Sequence, residues 1–203
     1  MVNSSSGCLF SELYMFDPSK PVASIPTQIS VAICIVLLTA VLYNILLKIP
    51  ALGAKSEEGS GESTSMYSTL KKNGVSSGSY VAAVILNGSL YGPVAEEITF
   101  RFLLMKVLLV RKLGLNVHAA NIIQALFSGF LHMTNTAFSP QGQNLSALQS
   151  IYSTILFAIC GYSYIYTNSI LPAILAHMIN NLWSASFDLK NYSAYLDSHP
   201  AKK

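Results

Sequence analysis

Charge is what this chain has least of. Only 10% of its 203 residues are Asp, Glu, Lys or Arg, against about 25% in an ordinary soluble domain. The shortage is concentrated: Pro21–Leu47 carries no such side chain, nor does Asn73–Ala95, nor the 75 residues Leu113–Phe187. A surface facing water needs ionic groups far more often than that, which argues against a soluble domain, a soluble helical bundle included. Cysteine is scarce as well. Cys8, Cys34 and Cys160 lie far apart with no C-x-x-C pair, so neither a disulfide framework nor a cysteine metal site is indicated. Basic residues are few and scattered; a net charge of +3 leaves no footprint for nucleic acid. No internal repeat is visible, and the first apolar run is too long for the core of a cleavable signal.

What is present is apolar. Hydrophobic side chains make up 52% of the chain, mean hydropathy is +0.47, and the uncharged runs exceed the ~20 residues that cross a hydrocarbon core. The expectation is an all-α, polytopic transmembrane bundle of about five apolar helices, with any site between them. A polar lead-in over 1–24 precedes a first spanning helix over 25–49, stopped by Lys48 and Pro50. A polar loop over 50–78, rich in Gly, Ser and Glu, cannot bury a core. Its lysines place it on the cytoplasmic side. A hydrophobic domain fills 79–187 and a polar tail 188–203. Within that domain Gly92-Pro93 predicts a break, with a fresh helix carrying Glu96 and Glu97 in its first turns and running to Gly114. Three further helices are expected at about 116–134, 145–167 and 170–187, the clearest loop being 134–144. Tyr162, Tyr164 and Tyr166 fit an interfacial aromatic belt, and Lys106 can snorkel.

Against this background "VAEEITFR" (Val94–Arg101) is the anomaly. An ionised side chain within a spanning segment costs about 2.5–3.5 kcal/mol on insertion scales, so it normally faces protein or water. At 100° per residue, Glu97 and Arg101 fall on one helix face and can neutralise each other. Glu96 points about 100° away and is left without that partner. A carboxylate in an apolar cavity is harder to ionise, which suits general base work. The plainer alternative is a helix start at the membrane surface with a solvated Glu pair. Downstream, His177 and Asn181 are also four apart, with Asn180 at three. An imidazole beside an amide offers two donors to a carbonyl or oxyanion, or equally a polar tie between helices. His132 closes another apolar segment, "FSGFLH". One Glu and two His can hold a catalytic zinc with an open position, or activate water without a metal. His118 is expected at the interface and His199 in solvent.

The order of these motifs resembles the CPBP intramembrane proteases, also called the CAAX protease and bacteriocin self-immunity (Abi) family. Its pattern is E-E-x-x-x-R, then F-x-x-x-H, then H-x-x-x-N on successive helices. Glu96-Glu97-Ile-Thr-Phe-Arg101 matches the first and His177-Met-Ile-Asn-Asn181 the third. In the second, His132 is present, but Ser128 stands four residues before it and Phe127 five. The resemblance covers about residues 85–187. It implies an intramembrane endopeptidase in which Glu96 and His132 activate water, with or without Zn2+ held by Glu96, His132 and His177. His177 and Asn181 would polarise the scissile carbonyl, and Glu97 with Arg101 would support the site. The implied substrate is a peptide or lipidated protein at the lipid bilayer. A membrane scaffold that binds such a partner without turnover stays open as the alternative.

Overall fold

The computed structural model describes residues 9–49, 67–134 and 143–199; among them there are helices and no strand. A short helix α1 (Leu9–Tyr14) leads to α2 (Ile25–Leu47), which opens where the Ser24 hydroxyl accepts from the Thr27 N–H and Pro26 occupies the first turn, positions where each is favoured. Helix α2 buries Gln28, Ala32, Ile35 and Thr39 and exposes Ile29, Ile33, Leu37 and Val41. The middle of the helix turns Gln28 and Thr39 inward and large apolar side chains outward, the reverse of a helix in water.

The predicted break at Gly92-Pro93 does not occur. Four helical stretches, Ser77–Ala83, Val84–Tyr91, Gly92–Glu97 and Ile98–Lys112, join end to end with helical backbone angles at every junction and form one helix, α3. Proline is accommodated because the winding widens before it: the Gly92 N–H bonds back to the Asn87 carbonyl, five residues away, as in a π-turn. A Cβ at position 92 would meet that carbonyl at 2.9 Å, so glycine is needed there. The Gly88 carbonyl, whose partner in this wide register would be the missing N–H of Pro93, instead accepts from the Asn181 amide at 2.9 Å. Glu96 and Glu97 therefore sit mid-helix, not in a first turn.

A turn through Gly114, at φ +67°, sends the chain back as α4 (Val117–Met133), capped by Asn116 accepting from the His118 N–H at 2.9 Å. Helix α5 (Gln143–Thr167) ends at Asn168, in the left-handed region at φ 53°. Helix α6 (Leu171–Ser198) carries Pro172 in its first turn. It runs eleven residues past the expected end at 187, where the Tyr192 hydroxyl donates to the Val75 carbonyl at 2.7 Å and its ring packs on Tyr80. Part of the expected polar loop is likewise helical, at 67–72 and again from 77; residues 50–66 of that loop, and 135–142 of the next, lie outside the described residues. Helix α6 rests against α2, α3 and α5, and α4 against α3 and α5.

Helices α4 and α5 approach most closely at two glycines. A Cβ on Gly129 would fall 1.9 Å from Thr154 Oγ1, and one on Gly161 would fall 1.8 Å from Asn121 Oδ1. Small residues let helix backbones approach in this way. Two helical stretches among the described residues, α2 and Ala147–Thr167 of α5, are long and apolar enough to cross a membrane. The other helices expected to span carry interior polar groups and fall below that mark, so the count of five spans is not reached on length and composition.

The lead-in is not a loose tail. Lys106 is buried and does not snorkel; its ammonium donates to the Glu12 and Met15 carbonyls and lies 3.5 Å from the Glu12 carboxylate, which Arg111 meets at 2.8 Å. Asn168 accepts from the Asp17 N–H and donates to the Asp17 and Lys20 carbonyls. Tyr164 is fully buried against Phe16, so only Tyr162 and Tyr166 of the expected aromatic belt remain near the surface, with Tyr162 beside an exposed His118. His199 is exposed and stacks on Tyr195.

Two predictions follow from this packing. Gly161→Ala should lower the thermal midpoint in detergent by an amount equivalent to about 1–3 kcal/mol of overpacking, whereas Gly78→Ala, with only Ser76 Oγ near at 3.9 Å, should be neutral or stabilising; equal midpoints for the two would contradict the close approach. Arg111 beside Glu12 holds its carboxyl below the ordinary value of 4.5. The stability this gives is present above that value and is lost as pH falls through the lowered one. The midpoint difference between wild type and Glu12→Gln should therefore be open at pH 7 and close in acid.

Candidate active site

Helix α3 carries its charged pair into the centre of the bundle, where Glu97 and Arg101 are both 0% exposed. Arg101 Nη2 donates to Glu97 Oε1 at 3.4 Å. Its Nε lies 3.0 Å from Oε2, yet neither of those two atoms has a hydrogen-bond partner, so that contact is an ion pair whose N–H points off the oxygen. Nη1 donates to Gln124 Oε1 on α4 at 2.6 Å. The guanidinium plane lies over the Phe157 ring of α5, 4.4 Å from its centroid, a favourable cation–π placement. Gln124 in turn donates to Asn121 Oδ1 at 2.8 Å and to the Phe157 carbonyl at 3.2 Å, and Asn121 donates to the Ala158 carbonyl at 2.9 Å. The buried cation thus takes partners from three helices, as the low dielectric favours, with Nε held by ionic contact alone.

His177 of α6 completes the centre. Its Nδ1 lies 3.0 Å from Glu97 Oε1, and its Nε2 lies 3.8 Å from Glu96 Oε2. A carboxylate paired with arginine only accepts, so Nδ1 carries the proton and Nε2 faces Glu96. Phe157 stands edge-on to the imidazole, 5.4 Å between centroids. Glu96, with a side chain 39% exposed, occupies the open side of the site while Glu97 closes the buried side. One ring therefore sits between two carboxylates of opposite duty: one neutralised and orienting, the other accessible.

The predicted residues distribute as follows. Glu96, Glu97, Arg101 and His177 come together. His132, half-buried on α4, lies within electrostatic reach of His177; the imidazole found at 3.8 Å from Glu96 is that of His177. Asn181 shares the α6 face of His177 but spends one amide N–H on the Gly88 carbonyl. Asn180 accepts from the Tyr152 hydroxyl at 2.6 Å. Among the described residues no three His, Cys, Asp or Glu side chains stand together as a metal-binding group.

A family model described as type II CAAX prenyl endopeptidase Rce1-like matches residues 78–183, more than half of the chain. The chain belongs to that family. The Rce1-like segment spans all of α3 from its second residue, α4, α5 and the first half of α6, and so holds every residue of the site just described. Membership makes this a membrane-embedded member of a protease family; α1, α2 and the end of α6 lie outside the match. No curated protein and no solved structure matches the chain.

Gln124, Asn121 and Phe157 were not singled out by the sequence reading. The two amides did leave a signal: they stand three apart in the uncharged run "NIIQALFSGFLH", the spacing of one helix face, where amides in lipid-depth helices usually bond a neighbour. Nothing local marks Phe157 among the nine phenylalanines. Removing one partner of a buried ion pair typically costs about 3–5 kcal/mol, so Glu97→Ala should destabilise the Rce1-like domain far more than Glu96→Ala. Comparison of their thermal midpoints in one detergent checks this, and equal losses would contradict the division between a buried and an accessible carboxylate.

Proposed function

We propose that the protein is a multi-pass intramembrane endopeptidase of the CAAX-protease type, hydrolysing a peptide bond in a membrane-associated, prenylated protein or peptide. The observation that carries the reading is the imidazole of His177 held between Glu97 at 3.0 Å and Glu96 at 3.8 Å. Glu96, on the accessible side, takes a proton from water. His177, fixed through Nδ1, presents Nε2 to the carbonyl oxygen. A second ring proton, taken from solvent before the reaction and kept through it, sits on Nε2 and hydrogen-bonds the oxyanion as the tetrahedral intermediate forms. The second amide N–H of Asn181, one turn along the same face, is placed to assist it. The proton gathered by Glu96 passes to the leaving amine. His132 approaches the same water from α4.

The surroundings support a lipid setting. Large apolar side chains are exposed on five helices, among them Leu37 on α2, Leu103 on α3, Phe130 on α4, Ile151 on α5 and Trp183 on α6. Exposed apolar surface on this scale marks a membrane or partner face. An apolar groove of about 360 Å³ between α3 and α4, lined by Phe100, Leu103, Leu104, Phe127 and Leu131, begins one turn from Glu96 and suits an aliphatic chain attached to the substrate.

The test is cleavage of a farnesylated peptide by the full chain reconstituted in liposomes. Glu96→Gln, His132→Ala and His177→Ala should each reduce turnover by about 10²–10⁴-fold, the usual share of acid–base catalysis; Glu96→Gln, which leaves the buried pair intact, should insert and melt like the wild type, whereas His177→Ala should also lose midpoint with its bond to Glu97. Full activity in these variants would remove the assignment. Binding without cleavage, surviving Glu96→Gln, would point to the non-catalytic scaffold instead.

A further inference from the structure

Among the described residues, three of the buried polar atoms without a hydrogen-bond partner are Glu97 Oε2, Arg101 Nε and Ser128 Oγ. They belong to one layer. Helices α3 and α4 are joined by the short turn at 113–116 and run antiparallel, and the Arg101–Gln124 bond fixes their register. One turn along α4 from Gln124 is Ser128, and one turn back along α3 from Arg101 is Glu97, so the two stand at the same level. His132 follows one turn beyond Ser128 on the same face.

Ser128 is 1% exposed, and its lack of a partner is unusual here. Other hydroxyls inside the bundle bond back to their own helix: Thr39 to the Ile35 carbonyl, Thr154 to Ser150, Ser163 to Cys160 and Thr167 to Ser163. That back-bond is the default for a serine or threonine within a helix. Ser128 forgoes it, on the α4 face that Gln124 turns toward Arg101 one turn away. Leaving a buried hydroxyl unpaired costs stability, and such costs persist where a site uses the group.

We propose that Ser128 is a positioning residue whose hydroxyl hydrogen-bonds the attacking water and holds it between His132 and the Glu96–His177 pair. This rests on the peptidase reading above. The experiment is steady-state cleavage of a fluorogenic farnesylated peptide by the reconstituted full chain, with thermal midpoints measured on the same preparations. Ser128→Ala should lower kcat at least about tenfold, a loss in the range expected from imperfect positioning, with KM unchanged. Its midpoint should equal or exceed that of the wild type, since no bond within the protein is lost. Ser128→Thr, which keeps the hydroxyl, should return kcat to within about threefold of wild type. Unchanged kcat in Ser128→Ala, or a loss that tracks a lowered midpoint and is not rescued by threonine, overturns the role of Ser128 and leaves the peptidase reading intact. A wild type that cleaves nothing overturns both.

Discussion

The centre of the molecule depends on one buried ion pair. Glu97 and Arg101 are fully enclosed, and two charges removed from water are tolerable only with close partners around them. That requirement dictates the neighbourhood. Gln124 is needed on α4 for the guanidinium, Phe157 on α5 for its face, and His177 on α6 for carboxylate oxygen Oε1, while Oε2 and Nε meet each other in ionic contact alone. The pair therefore does more than cancel charge: it fixes which faces of four helices meet. The imidazole is oriented as a consequence, and Glu96 is left at its open side.

The same logic governs the backbone. Proline in the middle of α3 would normally end the helix. Here a wide turn, a glycine without room for a Cβ and an amide from α6 together satisfy the freed carbonyl. In an apolar surrounding no water would do so, and a neighbouring helix must. Asn181 thus ties the site residue His177 to the segment that delivers Glu96, coupling α6 and α3 one turn away from the chemistry.

Much of this was legible in the sequence, for definite reasons. Long uncharged runs gave the helices, and the i, i+4 spacing gave the Glu97–Arg101 pair, because both rest on local geometry. Glu96 was separated from Glu97 on local geometry, but the ring at 3.8 Å from it, that of His177, was not anticipated beside it. Which helices touch at which level depends on tertiary register, and no local pattern carries that. Lys106 was misplaced for the same reason: snorkelling is the default for an isolated lysine, and only the fold brings the Glu12 and Met15 carbonyls over it. Pro93 misled because the compensation for a proline is remote in sequence, at Asn181 on another helix.

The central claim is that Glu97 sets the tautomer of His177 so that Nε2 meets Glu96. The direct measurement is the 15N spectrum of the imidazole in labelled protein, with His177→Gln used for assignment. The account predicts a protonated Nδ1 at neutral pH, coupled to a hydrogen bond that disappears in Glu97→Gln. A neutral ring protonated at Nε2, with Nδ1 bare, would contradict it.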